Sequence, residues 1–310
     1  MERVIAVIGP TAVGKTRVSI DLAKLLETEV ISGDSMLVYK RMNIGTAKPT
    51  LQERAGIVHH LIDYIEPVET FSVTDFQQIA AQYITGINRR GKIPILAGGT
   101  GLYVRALLEN YQFNETPGDS EFRQHLEKMA EQYGNDHLHA MLARSDSQAA
   151  LRLHPNDRRR IIRALEVREL GGESISQTKE KPELVYESVV IGLTMERAKL
   201  YQNINLRVDQ MMAAGLEKEV AELLCSGVSP DCQSMKGIGY KEMVAYLQGR
   251  MDLPSTVNQI KQATRNFAKR QLTWYRRMPY IQWFSVDEYD SYEKMMETIY
   301  KCIAGKFCLK

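Results

Sequence analysis

The sequence predicts an α/β fold in which a parallel sheet is flanked by helices and interrupted by a helical insertion domain. Short apolar runs alternate with segments whose apolar residues recur every three or four positions, as in sheets built from strand–helix units. The first apolar run leads directly into a glycine-rich turn. A polar stretch of helical character, residues 112–183, separates the third run from the fourth.

The glycine-rich turn is Gly9-Pro10-Thr11-Ala12-Val13-Gly14-Lys15-Thr16, directly after the apolar run 4–8. It has the G-x-x-x-x-G-K-T spacing of a phosphate-binding loop, whose backbone N–H groups and following helix bind phosphate oxygens. Lys15 adds a cation, and the hydroxyl of Thr16 suits Mg²⁺. The motif predicts a P-loop NTPase-like core, but it leaves open whether the ligand is ATP, GTP or a simple diphosphate.

The second apolar run, residues 29–32, is followed by Gly33, Asp34 and Ser35. Ligands of open α/β sheets bind at the carboxyl ends of the strands. A carboxylate at that edge could accept a proton or hold metal-bound water. A helix cap or an Asx turn explains Asp34 equally well, because Gly-Asp-Ser is also common turn chemistry.

The third apolar run, residues 93–97, continues into Gly98-Gly99-Thr100-Gly101. Small residues there allow a ligand to approach the backbone, and Thr100 can form a hydrogen bond; a tight strand–helix connection is the alternative. No apolar run ends in the acidic residue that P-loop NTPases place near Mg²⁺, and the sequence has no Asn-Lys-x-Asp guanine-binding motif.

We expect three parts along the chain. Residues 1–111 form the first part of the core, residues 112–183 the helical insertion, and residues 184–310 the second part of the core with basic C-terminal helices. Further strands are expected at residues 188–193 and 281–285.

Two segments are rich in cations. Residues 152–169 contain six arginines against three acids, and alone this pattern favours a solvated helix face over phosphate binding. Residues 261–277 contain six cations and no acid. Lys261, Arg265 and Lys269 recur at helical spacing, and Trp274 and Tyr275 add aromatic rings, which is typical of nucleic-acid binding.

The composition limits the classes of protein. The 310 residues carry a net charge of only +2, so any affinity for nucleic acid has to come from local basic segments. The four cysteines lack the C-x-x-C spacing of zinc sites and redox dithiols. The chain has no signal sequence and no apolar run of membrane-spanning length. We therefore expect a cytoplasmic protein with no membrane partner.

Motifs in a fixed order along nearly the whole chain resemble one family, the bacterial tRNA dimethylallyltransferases (tRNA isopentenyltransferases). Besides the phosphate loop they are Asp34-Ser35, Ile44-Gly45-Thr46-Ala47-Lys48-Pro49, residues 59–63, Gly98 to Tyr103, Asn156-Asp157-Arg158-Arg159-Arg160, Arg207 with Gly215-Leu216 and Glu219-Val220, Lys236-Gly237-Ile238-Gly239-Tyr240, and Lys269-Arg270-Gln271 with Thr273-Trp274. The phosphate loop alone is unspecific, whereas the combination is specific.

The resemblance implies transfer of a dimethylallyl group from dimethylallyl diphosphate to N6 of adenine 37 in tRNAs that read codons starting with U. It implies that Asp34 is the general base, that Thr100 places the substrate, and that Arg207 binds the diphosphate together with Lys15, Thr16 and Mg²⁺. A monomer is expected. The implied contacts to the anticodon stem-loop are Asp34, Ser35, Met36, Leu37, Thr100, Arg123, Arg158, Arg159, Arg160, Ile161, Ile162, Lys261, Arg265, Lys269 and Gln271.

The residue chemistry agrees with this implication. Lys15, Arg207 and backbone amides can stabilise the negative charge that builds on a leaving diphosphate. The N6 amine of adenine is a weak nucleophile, and the carboxylate of Asp34 could take its proton once the base has left its stack. The missing acidic strand end is understandable, because no hydrolytic water has to be positioned.

Three alternatives remain at this stage. A P-loop small-molecule kinase would use residues 112–183 as a lid, but it leaves the two basic segments unexplained. An adenine-nucleotide isopentenyltransferase would share the chemistry without needing the insertion. An RNA-binding NTP switch would require nucleotide-reading motifs that the sequence lacks.

Overall fold

The computed structural model describes residues 1–114, 116, 118–171 and 183–309. Its strands are β1 (Arg3–Ile8), β2 (Val30–Ser32), β3 (His59–His60), β4 (Ile95–Gly98), β5 (Glu187–Thr194) and β6 (Ile281–Ser285). Within the described residues they form one sheet in the order β3-β2-β4-β1-β5-β6, and each neighbouring pair is parallel. The predicted α/β fold with a parallel sheet is confirmed.

The helices that surround the sheet or build the insertion follow one another along the chain. They are α1 (Lys15–Leu25), α2 (Leu51–Arg54), α3 (Val73–Arg89), α4 (Gly101–Leu108), α5 (Ser120–Tyr133), α6 (Asn135–Ser145), α7 (Ser147–Arg152), α8 (Arg158–Gly171), α9 (Arg197–Ala213), α10 (Leu216–Cys225), α11 (Tyr240–Leu247), α12 (Leu253–Tyr275) and α13 (Tyr292–Phe307). None of these described helices combines the length and apolar character needed to cross a bilayer.

Two hydrophobic cores lie on opposite faces of the sheet. Val4, Ala6 and Ile8 of β1 belong to one core, together with residues of α3, α4, α10, α11 and α12. Ile5 and Val7 belong to the other, together with residues of α1 and α13. Side chains alternate between the faces of a strand, so β1 is covered on both sides. The phosphate loop therefore starts from a rigid, fully buried strand.

The chain forms two compact units. One contains the sheet and consists of Met1–Tyr111 and Glu183–Lys310; the other is Gln112–Pro182. The second unit is built from α5, α6, α7 and α8 around its own core, which includes Leu126, Leu138 and Ile161.

Two elements differ from the sequence prediction. Strand β3 was not expected, because its two half-buried histidines show no apolar alternation. Helix α12 begins at Leu253, well before the cationic segment 261–277 in which the sequence shows helical spacing. The side chain of Asp252 accepts a hydrogen bond from the amide of Ser255, and Pro254 occupies the first turn, where its missing N–H is not needed.

A buried carboxylate holds the loop that follows β2. Glu219 of α10 is 9 % exposed, and its oxygens accept hydrogen bonds from the backbone N–H groups of Asn43, Ile44 and Gly45 at 2.8, 2.8 and 3.1 Å. The hydroxyl of Tyr240 donates a fourth at 2.6 Å. The chain just beyond this anchor lines the cleft described below, so Glu219 fixes one wall of that cleft.

We expect Glu219→Ala to lower the free energy of unfolding by about 2–4 kcal/mol, because it leaves three partly buried amides and the buried hydroxyl of Tyr240 without an acceptor. Chemical denaturation measures this change. Glu222→Ala is the matched control on the same helix, since Glu222 is exposed and pairs only with Lys218 at 3.7 Å. Equal stability of the two variants would contradict the anchoring role.

Candidate active site

The phosphate loop joins β1 to α1 through backbone conformations that favour glycine. Gly9 has φ +148°, and a Cβ there would lie 2.5 Å from the carbonyl oxygen of Leu193. Gly14 has φ +101° and forms the N-cap of α1, and Ala12 also adopts a positive φ of 66°. Successive residues of opposite backbone hand form a concavity of N–H groups that binds anions. The loop has the local geometry that its sequence predicts.

Lys15 folds back onto its own loop. Its Nζ donates a hydrogen bond to the carbonyl oxygen of Pro10 at 2.8 Å. Burial lowers the pKa of Lys15 to about 8; the negative charge of Asp34 opposes this shift and the positive charge of Arg207 adds to it. The free protein thus has a lysine that is held partly desolvated and within electrostatic range of both other candidate site residues.

Arg207 extends the positive charge beyond the loop. It lies on α9, is half-buried, and lines the cleft together with Lys15 and Thr16. Burial lowers its pKa from the usual value, while Glu53 acts in the opposite direction. The arginine stays charged at any physiological pH. Two cations therefore line the same cleft as Thr16.

Asp34 lies at the carboxyl edge of the sheet, as predicted, just after β2. Its Oδ1 accepts a hydrogen bond from the N–H of Met36 at 2.8 Å, which is an Asx turn. The carboxylate also lines the cleft. The Asx turn that the sequence offered is therefore formed and uses one carboxylate oxygen, while a role of Asp34 in proton transfer stays a prediction.

Thr100 ties the glycine turn after β4 to the segment around Asp34. Its Oγ1 accepts a hydrogen bond from the N–H of Ser35 at 3.0 Å, and its own N–H donates to the carbonyl oxygen of Gly33 at 3.3 Å. Gly98 is packed against Gly33 so closely that a Cβ would lie 2.4 Å from the Gly33 carbonyl oxygen. Thr100 positions the candidate base through these backbone contacts.

The phosphate loop, Asp34, Arg207 and the start of the glycine turn, Gly98 and Gly99, line one cleft. Its polar lining includes Thr11, Lys15, Thr16, Asp34 and Arg207. Apolar side chains complete it. They are Val30, Leu37, Pro49, Ile62, Ala97 and Phe267. The cleft therefore combines a cationic, phosphate-binding side with an apolar side next to a carboxylate.

Gln271 is buried at this cleft, with 4 % of its surface exposed. Its Oε1 accepts a hydrogen bond from the N–H of Thr11 at 2.9 Å, and its Nε2 donates to the carbonyl oxygen of Gly99 at 2.8 Å. The amide is turned inward and both its ends are bonded within the protein, so the predicted tRNA contact of Gln271 stays a prediction without a free amide group to carry it.

The three cations of α12 that share one helix face differ in their surroundings. Lys261 forms an ion pair with Asp209 of α9 at 2.6 Å, and Arg265 donates to the side-chain oxygen of Asn205 at 2.6 Å. Lys269 is exposed, and no side-chain partner is found for it among the described residues. The structure thus assigns the first two cations to helix packing and leaves Lys269 available to a ligand.

In the unit 112–182, Arg123 is engaged with a buried carboxylate. It donates two hydrogen bonds of 2.8 Å to Glu166, whose side chain is fully buried. Burial opposes ionisation of Glu166, but hydrogen bonds from Arg123, Arg163 and the amide of Asp119 hold its pKa below the usual range. Arg123 therefore stabilises the unit; a tRNA contact by its exposed half stays a prediction.

The start of α8 contains both surface and core residues. Arg158 pairs with Glu127 at 3.1 Å and Arg160 with Asp157 at 3.0 Å. Arg159 is exposed and makes no side-chain bond to a described residue. The side chains of Ile161 and Ile162 lie in the core of the unit, at 0 and 4 % exposure. A tRNA contact of these two residues would have to use their backbone rather than their side chains, and it stays a prediction.

At the phosphate loop, the hydroxyl of Thr16 is the side-chain group that suits Mg²⁺. The hydroxyl of Thr16 has no protein partner among the described residues and lines the cleft with the carboxylate of Asp34. No group of three or more metal-ligating side chains occurs in the described part of the chain. Mg²⁺ is bound in this way when phosphate oxygens and water supply most of its ligands.

A parallel sheet with a G-x-x-x-x-G-K-T loop after its buried strand β1 defines a P-loop α/β protein with a candidate active site at the carboxyl edge. The model of the family described as IPP transferase matches residues 37–278. The chain belongs to the IPP transferase family, and the family predicted from the sequence motifs is confirmed.

Named relatives and solved structures agree. The chain is 48 % identical over 305 residues to proteins named tRNA dimethylallyltransferase from Bacillus velezensis and Bacillus subtilis, covering 98 % of this chain and 97 % of each relative. It resembles the crystal structure of a tRNA isopentenylpyrophosphate transferase from Bacillus halodurans, with a TM-score of 0.76, 46 % identity and coverage of 99 and 97 %. A eukaryotic dimethylallyltransferase acting on tRNA matches with a TM-score of 0.84, 30 % identity and coverage of 99 and 80 %.

Sequence reasoning missed the inward role of Gln271 and the loop anchor Glu219. For Gln271 a signal was present, because Ile260, Ala268, Gln271 and Tyr275 lie at helical spacing and are all buried. In the sequence, the cationic residues on the adjacent face of α12 obscure that buried stripe. Glu219 belongs to a motif of the family resemblance, but its anchoring role could not be predicted because its backbone partners are far away in sequence.

The lowered pKa of Lys15 predicts a pH dependence of diphosphate binding. The lysine carries its charge below about pH 8 and loses it above, so affinity for inorganic diphosphate should fall as the pH rises through that value. Lys15→Arg should keep its affinity to higher pH, because the guanidinium stays charged. Calorimetric titration of both proteins with diphosphate measures this difference. Comparing the two pH profiles cancels the effect of protonation of the diphosphate itself, which is the same for both. Identical pH profiles would contradict the assignment.

Proposed function

We propose that the protein transfers the dimethylallyl group of dimethylallyl diphosphate to N6 of adenine 37 in tRNA and releases diphosphate. The observation that carries the proposal is the single cleft in which Lys15, Thr16 and Arg207 lie with the carboxylate of Asp34. Membership of the IPP transferase family and the names of the relatives support it.

The cleft suits both ends of the donor. The phosphate loop, Lys15 and Arg207 would hold the diphosphate and stabilise the charge that builds on it when the C–O bond breaks. The apolar side of the cleft, with Leu37 and Ile62 among its residues, would exclude water from the five-carbon group. Exclusion of water matters because an allylic cation that met water would be hydrolysed.

Asp34 would act at the acceptor. Its free carboxylate oxygen would take the proton of the N6 amine as the new C–N bond forms, and the Asx turn with Met36 holds it at the cleft. Thr100 would keep this segment in place through the N–H of Ser35. The adenine would have to be turned out of its stack to reach the carboxylate.

Mg²⁺ would be held by the hydroxyl of Thr16 and the oxygens of the bound diphosphate, where it would neutralise negative charge. We place the reaction in the cytoplasm, on a monomeric protein, as the sequence suggests.

The proposal is tested by incubating the protein with labelled dimethylallyl diphosphate and unmodified tRNA that carries adenine at position 37. We expect label on the tRNA without ATP, and nuclease mapping should locate it at adenine 37. A parallel reaction contains AMP in place of tRNA, and another contains ATP as a phosphate donor. Label on AMP alone would favour an adenine-nucleotide isopentenyltransferase, and phosphate transfer from ATP alone would favour a small-molecule kinase.

Asp34→Asn should lower kcat by about 10²–10⁴-fold, because the amide cannot take the proton, while tRNA and diphosphate affinities change little. Single-turnover transfer and filter binding measure the two effects. Asp290→Asn, at an exposed aspartate that pairs only with Lys294, is the control for the same chemical change. Parallel loss of binding and transfer would indicate that Asp34 is needed for folding of the site instead.

The RNA-binding proposal now rests on the unpaired cations. Lys269→Ala and Arg159→Ala should each weaken tRNA binding and reduce the slope of log affinity against log salt by about one. Lys261→Ala should have less effect, because that ammonium is already paired with Asp209. Lys301→Ala on α13 is the control. A salt slope unchanged in the Lys269 and Arg159 variants would contradict RNA contact at these positions.

A further inference from the structure

The cleft has two halves that come from different loops, and a buried side chain outside both halves connects them. The phosphate loop follows β1, and the glycine turn Gly98–Gly101 follows β4. Gln271 of α12 bonds to both, through the N–H of Thr11 at 2.9 Å and the carbonyl oxygen of Gly99 at 2.8 Å. These two partners lie 260 and 172 residues away from it in sequence.

The orientation of the Gln271 amide is fixed by its partners. An amide offers one acceptor oxygen and one donor nitrogen. Thr11 presents a donor and Gly99 an acceptor, so a reversed amide would set N–H against N–H and oxygen against oxygen. The bridge therefore uses both ends of the glutamine side chain, the oxygen as acceptor and the nitrogen as donor.

Helix α12 covers the glycine turn along one stripe. A Cβ at Gly99 would lie 2.5 Å from Nε2 of Gln271, and a Cβ at Gly101 would lie 2.3 Å from the indole of Trp274. One residue further on, the hydroxyl of Tyr275 donates to the carbonyl oxygen of Gly98 at 3.4 Å. The turn thus has little freedom to move relative to α12.

The glycine turn also positions Asp34. Gly99 directly precedes Thr100, whose hydroxyl and N–H bond to the backbone of Ser35 and Gly33 on either side of the carboxylate. A continuous path of hydrogen bonds and one peptide link therefore runs from the phosphate loop through Gln271 to the segment that carries the base.

We propose that Gln271 is a positioning residue that sets the spacing between the diphosphate-binding loop and the general base, and that it does not contact RNA. The inference rests on the proposed function, because it takes the loop as the site of the leaving group and Asp34 as the base. In-line transfer requires the donor carbon and the acceptor amine to be held at near-contact distance, and small displacements cost large factors in rate.

Two variants of Gln271 distinguish the hydrogen bond to Gly99 from the hydrogen bond to Thr11. Gln271→Met keeps the length of the side chain and removes both hydrogen bonds. Gln271→Glu keeps the acceptor for Thr11, but its carboxylate repels the Gly99 carbonyl oxygen; when protonated, its O–H can donate to that oxygen. Gln259→Met is the matched control, because Gln259 is exposed on the same helix and forms no side-chain bond to a described residue.

We expect Gln271→Met to lower kcat by about tenfold or more at saturating substrates, with tRNA affinity within about twofold of wild type. The activity of Gln271→Glu relative to wild type should rise when the pH is lowered from about 8.5 to about 6.5, because a buried carboxyl is protonated more readily than an exposed one. Gln259→Met should behave as wild type in both measurements. Thermal unfolding of every variant is recorded in parallel.

A loss of tRNA affinity in Gln271→Met, with kcat unchanged at saturating tRNA, would overturn the inference in favour of a direct RNA contact. Unchanged kcat in this variant, or equal losses in Gln271→Met and Gln271→Glu at every pH, would overturn it as well, the latter in favour of a purely structural role. Failure of the wild-type protein to transfer label to tRNA would overturn the proposed function, and this inference with it.

Discussion

The candidate site depends on the position of β4 between β2 and β1. Ala97 of β4 is in register with Val7 of β1 on one side and with Ser32 of β2 on the other. Because the three strands are parallel, the loops that follow them leave the sheet at the same edge. The phosphate loop, the glycine turn and Asp34 are therefore neighbours as a consequence of backbone pairing, before any side chain contributes.

Packing then gives these loops their electrostatic character. Lys15 is enclosed enough that its pKa falls to about 8, and Arg207 is desolvated as well. Charges removed from water interact more strongly with each other and with a ligand. Burial of these cations destabilises the free protein, and a bound anion would offset this by neutralising their charge. A few cations could in this way stabilise a highly charged leaving group.

Much of this arrangement follows from local sequence. The phosphate loop could be predicted because its function needs a strand, a glycine turn and a helix that are adjacent in the chain. Asp34 and Thr100 could be predicted as edge residues because each follows an apolar strand. The partners of the Lys261 and Gln271 side chains could not be predicted, because they depend on which side of α12 packs against α9 and the sheet. That choice is made by contacts between segments distant in sequence.

Strand β3 could not be predicted for the same reason. Its two residues pair with Val30 and Ile31, and only this pairing makes them a strand. Residues 261–277 show the same dependence on tertiary contacts. Their six cations form one basic segment in the sequence, yet the ion pair with Asp209 and the hydrogen bond with Asn205 engage two of them within the protein.

The close fit between Gly99 and Gln271 has an evolutionary consequence. With 2.5 Å between the amide nitrogen and the place of a Cβ, alanine at position 99 would displace the Gln271 amide from the carbonyl oxygen to which it donates. A change at position 99 would therefore break the bridge unless position 271 changed as well. Although 172 residues separate them, the two positions should vary together or not at all among proteins that keep this arrangement.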